Sequence, residues 1–79
     1  MKNKLIIYTT SWCGDCFQLK KFLNENNILY DEKNIEENEE DFKTMLSYTN
    51  GKRIIPTVNI NGTILINPKP TELKNLLNQ

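Results

Sequence analysis

The chain has 79 residues, of which 38% are hydrophobic and 25% are charged, and its basic and acidic residues balance to a formal net charge of zero. This size and composition predict one domain over residues 1–79, of the ordinary soluble globular kind. The balanced charge argues against binding to nucleic acid or to a membrane surface through overall charge. The apolar runs are too short for a recognisable secretion signal. We therefore expect a cytoplasmic monomer.

The first half of the chain predicts two strands and two helices. Residues 5–8 are a continuous β-prone apolar run, which predicts a strand covered on both faces. Apolar residues at helical spacing predict a helix over residues 14–26, and residues 28–33 predict a second strand with a buried start at 28–30. An acid-rich run over 36–41, followed by Phe42, Met45 and Leu46, predicts a second helix with a solvated start.

The second half predicts a hairpin and a last helix. Pro56 cannot donate to a central ladder, so it should lie where a strand begins. Asn61-Gly62 separates two β-prone runs, 57–60 and 63–66, and predicts an antiparallel hairpin. Thr71 is the expected N-cap of a final helix. This order of elements predicts an α/β sandwich with a four-stranded mixed sheet.

Both cysteines of the chain lie in one motif, Trp12-Cys13-Gly14-Asp15-Cys16, at the start of the predicted first helix. Cysteines three apart on a helix lie on one face, and a slightly tightened turn brings them to disulfide distance. A structural role is disfavoured, because permanent disulfides are rare in the cytosol and so short a loop adds little stability. The motif therefore predicts a redox switch.

A metal or iron–sulfur carrier is the alternative from another class of protein. Two cysteines and no histidine supply only half of a four-ligand site. Such a carrier would need a dimer or external thiols, so we assign no metal ligand in this chain.

The two cysteines are expected to have different tasks. A free thiol with a pKa near ~8.5 is mostly protonated at neutral pH, and a chain without histidine cannot form a Cys-His dyad. The remaining device is the helix N-terminus, which stabilises an anion. Cys13 is then the nucleophile and Cys16, one turn inside, the resolving thiol. Asp15 opposes the thiolate, and Lys20 is expected to be a solvated helix residue.

The cysteine motif and the later strand-initiating proline together resemble the glutaredoxin family, and most closely its mycoredoxin-like members, which act on mycothiol mixed disulfides. The matching segments are 7–14, 16, 19–20, 30–32, 35–36, 50–51, 55–58 and 67–68. The resemblance implies the thioredoxin fold, a βαβ-ββα order with a four-stranded mixed sheet flanked by about three helices.

The resemblance also implies binding positions. The Ile55-Pro56 bond, which general frequencies alone would make trans, is expected to be cis, with the Ile55 backbone facing the bound thiol. Trp12 is either a core aromatic or an exposed rim beside Gly14, and Arg53 either binds a substrate carboxylate or belongs to a solvated basic loop.

Two departures from the family pattern weaken the case for glutathione. Asp15 stands where glutaredoxins usually carry an aromatic residue, and Asn67-Pro68 stands where many carry a Gly-Gly turn.

The expected function is reduction of protein or small-thiol mixed disulfides by Cys13. No bound cofactor is expected, and a small thiol such as glutathione or mycothiol is the expected co-substrate. The alternative is a dithiol electron donor, for example to ribonucleotide reductase, that a flavin disulfide reductase recycles through Cys16.

Overall fold

The computed structural model describes residues 4–77 of the chain. The elements are β1 (Leu5–Thr9), α1 (Gly14–Glu25), β2 (Asp31–Asn34), α2 (Glu39–Tyr48), β3 (Thr57–Ile60), β4 (Thr63–Ile66) and α3 (Pro70–Leu77). The strands lie in the order β2-β1-β3-β4. Strand β1 is parallel to β2 and antiparallel to β3, which is antiparallel to β4. The thioredoxin fold that the resemblance implied is confirmed.

Alternate side chains of β1 enter two different cores, one on each face of the sheet. Leu5 and Ile7 lie on the face covered by α1 and α3; they pack with Leu19, Leu23, Val58, Ile60 and Leu73. Tyr8 lies on the opposite face and packs with Ile35 and Met45 under α2. The prediction that this strand is covered on both faces is confirmed.

The second strand begins later than predicted, at Asp31 instead of residue 28. Asn27 has a φ of 56°, and the Ile28 N–H donates to the Leu23 carbonyl at 2.9 Å, which closes α1 with a Schellman motif. Ile28 therefore completes the helix end and packs on its core, and Leu29 is left 75% exposed. The prediction of a buried strand start at 28–30 is wrong, because Ile28 takes part in the end of α1 and pairing with β1 begins only after Tyr30.

The hairpin prediction is confirmed, whereas the prediction for the last cap is wrong. Asn61 and Gly62 both have positive φ, 52° and 96°, as a two-residue type I′ turn requires. Helix α3 begins at Pro70, one residue before Thr71. Its start is closed by the Glu72 carboxylate, which accepts from the Lys69 N–H at 3.1 Å. Proline is preferred at the first helical position, so the helix begins at Pro70 and Thr71 lies inside its first turn.

Candidate active site

The two cysteines lie together at the N-terminus of α1. Cys13 is the N-cap residue, with an extended backbone (φ −118°, ψ 109°). Its Cα lies 5.2 Å from that of Cys16, and the two sulfurs form a disulfide. The Cys13 Sγ also accepts a hydrogen bond from the Cys16 backbone N–H at 3.1 Å. This N–H and the helix dipole would stabilise negative charge on the same sulfur after reduction.

The two sulfurs differ in access to solvent. Cys16 is fully buried at 0% exposure, whereas Cys13 is partly exposed at the end of the helix. An external thiol or disulfide therefore meets Cys13 first. The order of attack, Cys13 before Cys16, stays a prediction that this difference in burial supports.

The proline loop connects two later segments of the chain. The Ile55-Pro56 bond is cis, as the resemblance implied, and Pro56 is buried immediately before β3. The Asn67 N–H donates to the Pro56 carbonyl at 2.8 Å, which ties the end of β4 to this loop. Ile55 is partly buried.

Asp15 and Asn67 share a small cleft beside the helix start, with a volume of about 170 Å³. Its other lining residues are Gln18, Pro68, Lys69 and Pro70. Asn67 has a left-handed φ of 49°. The two positions where the sequence departs from the family pattern therefore line a single cleft, which also carries the Lys69 ammonium group.

Trp12 and Gly14 flank Cys13 on the surface. Trp12 is 93% exposed, so it belongs to the rim and not to the core. Gly14 begins α1, and a Cβ added there would meet nothing within 4 Å. Phe17, one turn further along the helix, is also 61% exposed. Aromatic surface therefore lies on both sides of the accessible sulfur in sequence.

The loop that precedes Cys13 is held by side chains that sequence reasoning did not single out. The Ser11 N–H donates to Glu36 Oε1 at 3.1 Å, and Asn34 Nδ2 donates to the Ser11 hydroxyl at 3.0 Å. Glu36 Oε2 lies 4.0 Å from an Arg53 nitrogen. Arg53, for which the sequence left open carboxylate binding or a place in a solvated basic loop, thus already lies beside a carboxylate of this chain. No local pattern indicates a pairing between residues so far apart in the sequence.

A second feature missed from the sequence is a groove of about 480 Å³ between α1 and β2. It is lined by Phe17, Lys20, Lys21, Asn24, Glu25, Tyr30 and Glu32. Lys20 Nζ and the buried Thr9 hydroxyl both donate to Glu32 Oε2 at 2.7 Å. Lys20 therefore joins α1 to the edge strand β2 through Glu32 and is not the solvated residue that we expected.

The Glu32 carboxylate responds to this environment. Partial burial raises its pKa, but the hydrogen bonds from Lys20 and Thr9 and the charge of Lys20 outweigh burial. The net effect lowers the pKa of Glu32 from its ordinary value. The carboxylate is therefore ionised at neutral pH.

Residues 4–77, the part of the chain that the structure describes, contain neither a metal-ligating cluster nor a membrane-spanning helix. No group of three or more His, Cys, Asp or Glu side chains there is arranged to hold a metal ion. No helix in the same part of the chain is long and apolar enough to cross a membrane.

Solved structures with this fold include the crystal structure of the thioredoxin-like protein BC3987. It superposes with a TM-score of 0.78 at 29% identity, covering 92% of this chain and 99% of that one. A mutant of the same protein gives a TM-score of 0.79 at 28% identity and covers 94% of this chain. The fold of this chain is therefore found in thioredoxin-like proteins.

Proteins with similar sequences point to one family within the thioredoxin-like proteins. A Mycobacterium tuberculosis protein named as a glutaredoxin is 46% identical over 71 residues, which cover 89% of this chain and 84% of that protein. Mycoredoxin 1 of Corynebacterium glutamicum is 35% identical over 72 residues, covering 90% and 89%. The family model for glutaredoxin matches residues 5–65. With its Cys13-Cys16 pair at disulfide distance, this chain belongs to the glutaredoxin family.

Proposed function

We propose that this protein reduces mixed disulfides between proteins and a small thiol, with Cys13 as the nucleophile. The observation that carries the proposal is the asymmetry of the cysteine pair. Cys13 is accessible and its sulfur accepts an amide hydrogen bond at a helix N-terminus, whereas Cys16 is buried. Exposure and thiolate character together determine which cysteine of a pair reacts with an outside partner.

The proposed cycle uses two exchange steps. The Cys13 thiolate attacks the small-thiol sulfur of the mixed disulfide, forming a new S–S bond while the protein thiolate leaves with the electron pair of the broken bond. A second small thiol, as its thiolate, attacks the sulfur it shares with Cys13. This step releases the Cys13 thiolate and a symmetric small-thiol disulfide, so one added small thiol is oxidised for each protein thiol that is released.

The dithiol cycle is the second candidate, and the short separation of the two cysteines supports it, since their Cα atoms lie 5.2 Å apart. Here the Cys16 thiolate attacks Cys13 within the mixed disulfide and expels the partner. A flavin disulfide reductase then returns two electrons to the Cys13-Cys16 disulfide. A protein of this kind would serve as an electron donor, for example to ribonucleotide reductase.

The small thiol proposed for the first cycle is mycothiol. The relative named mycoredoxin 1 supports this choice. Asp15 and Asn67 also support it, because glutaredoxins usually carry an aromatic residue and a Gly-Gly turn at these two positions. The proposed site consists of the cysteine pair and seven proposed substrate-binding residues: Trp12, Gly14, Asp15, Arg53, Ile55, Pro56 and Asn67. The proposed setting is the cytoplasm, where low-molecular-weight thiols keep disulfides reduced, and the proposed acting unit is the monomer.

The deciding experiment measures turnover of a protein mixed disulfide by the native protein and by Cys16→Ser, with each small thiol supplied in turn. Activity of Cys16→Ser with one thiol establishes the monothiol cycle and identifies that thiol. An inactive Cys16→Ser, with native protein turned over by a flavin reductase, establishes the dithiol donor. Cys13→Ser is expected to be inactive in both assays, and activity in that variant would contradict both cycles.

A further inference from the structure

We propose that Glu36 determines which substrate charge the active site prefers. Its carboxylate pairs with the Arg53 guanidinium group, and this pairing disfavours the reaction of carboxylate-bearing thiols and disulfides at Cys13. The inference rests on the proposed function and deepens it, since it names a class of substrate that the site selects against. Substrates without carboxylates near their sulfur are then favoured.

The Glu36 carboxylate is held on two sides. Its Oε1 accepts from the Ser11 N–H at 3.1 Å, and its Oε2 lies 4.0 Å from Arg53 Nη2. The Glu36 backbone N–H donates to Asn34 Oδ1 at 2.9 Å, and Asn34 Nδ2 in turn donates to the Ser11 hydroxyl at 3.0 Å. The carboxylate is therefore fixed against the loop that leads to Cys13.

This position brings the Glu36 charge within electrostatic reach of the reacting sulfur. Ser11 precedes Cys13 by two residues, so chain geometry keeps the carboxylate within about 12 Å of the Cys13 backbone. A unit charge at about 10 Å in water changes the encounter with another unit charge by about twofold. The Glu36 carboxylate repels an anionic partner and also offsets the attraction of Arg53.

Arg53 is the group that would otherwise attract such a partner. A guanidinium group binds carboxylates in a bidentate arrangement, and about half of the Arg53 side chain, 52%, is exposed. An incoming carboxylate must compete with Glu36 for it. Arg53 is therefore neither a free carboxylate-binding residue nor simply part of a solvated loop. It binds an incoming carboxylate only in competition with the Glu36 carboxylate.

The test compares two alkylating reagents that differ mainly in charge. Reduced Cys16→Ser protein, in which Cys13 is the only thiol, is treated with iodoacetate and with iodoacetamide at about 0.01 M ionic strength, where the Debye length is about 30 Å. The measured quantity is the ratio of the two rate constants, iodoacetate over iodoacetamide. Each reaction forms a Cys13 thioether and releases iodide.

Glu36→Gln is the informative variant. Glutamine keeps a carbonyl oxygen that can accept from the Ser11 N–H, so the variant removes charge and retains the hydrogen bond. We expect the rate ratio to rise about two- to fourfold. Glu40→Gln is the matched control, because it removes the same charge from an exposed residue whose side chain pairs with no described group. It should leave the ratio almost unchanged.

The dependence on Arg53 decides the mechanism. Arg53→Met should lower the ratio, and adding Glu36→Gln to Arg53→Met should raise it by less than Glu36→Gln does alone. An equal rise with and without Arg53, an equal change for both reagents, or an equal effect of Glu40→Gln would each overturn the proposal.

A turnover assay extends the test to substrates. The catalytic efficiency with glutathione relative to glutathione diethyl ester, whose carboxylates are capped, should rise in Glu36→Gln through a lower KM for glutathione. An unchanged relative efficiency would overturn the proposal for substrates. If native protein turns over no mixed disulfide, the proposed function fails, while the alkylation ratio still decides the role of Glu36.

Discussion

The two faces of the sheet are built from the same central strand but differ in what they hold. The α1/α3 face carries an aliphatic core in which seven residues are buried, and it positions the helix that begins at Cys13. The α2 face has three buried residues, and one of them, Tyr8, carries a polar hydroxyl. The redox pair therefore lies at the start of a helix that is anchored in the larger of the two cores.

The same comparison explains where the site obtains its polar partners. Helix α1 presents its buried side, including Leu19 and Leu23, to the larger core. The loop before Cys13 is instead held by Asn34, the last residue of β2, and by Glu36, which lies between β2 and α2. One side of the site thus supplies rigidity, and the other supplies hydrogen bonds and charge.

The largest expected effect comes from breaking the α1/α3 face. Leu23→Ala removes a side chain of 0% exposure from that core, and we expect the free energy of unfolding to fall by about 3 kcal/mol. Urea unfolding measures the loss. Leu29→Ala is the control, because Leu29 is 75% exposed, and it should change stability by less than about 0.5 kcal/mol. Equal losses would contradict the assigned burial.

A smaller loss is expected on the α2 face. Met45→Ala also removes a fully buried side chain, and we expect a loss of about 2 kcal/mol, since methionine adapts more readily to its surroundings. The iodoacetamide rate of Cys13 should stay at its native value under folding conditions, because α2 does not carry the cysteine pair. A marked rate change in Met45→Ala would show that the two faces are coupled.

Tyr8 provides a test of the α2 face at alkaline pH. Burial raises its pKa to about 12, with the neighbouring Tyr48 ring, 6.0 Å away, adding to the effect. A raised folded pKa means that the stability from the neutral phenol is fully present below the unfolded value near pH 10 and is lost as pH rises through about 12. Tyrosinate absorbance should show a late ionisation that Tyr8→Phe removes. If that step persists in Tyr8→Phe, the late phenol is not Tyr8.

The smallest effect is expected at the edge of the sheet, between α1 and β2. Glu32→Gln weakens the pairing with Lys20, and we expect a loss of at most about 1 kcal/mol at neutral pH, because the two side chains are 37% and 27% exposed. The pKa of Glu32 is lower in the folded protein than its ordinary value of 4.5. The ion pair therefore contributes its stability above about pH 4.5, and this contribution is lost as the pH falls through the folded pKa. Urea unfolding of both proteins across acid pH should therefore converge.

Glu39→Gln is the control for this ion pair. Glu39 lies 3.9 Å from Lys43 within one exposed helix, so its loss should cost less than that of Glu32. A larger cost for Glu39→Gln would contradict the importance of the contact between α1 and β2.

The sequence alone determined the elements whose signals are local. Asn61-Gly62 identified the hairpin because only a few residue types accept two positive φ angles, and the cysteine spacing identified the redox pair because three positions make one helical turn. The cis bond at Pro56 came from the family resemblance and not from the residues themselves.

Tertiary structure decided what depends on partners distant in the sequence. Ile28 belongs to a helix cap because Leu23 and the core beneath it compete with strand pairing for the same residue. Glu36 reads as part of an acidic helix start, yet it holds Ser11, 25 residues away. Periodicity and composition report neighbours within a few residues along the chain, whereas the groups that surround the accessible sulfur are brought together only when the sheet forms.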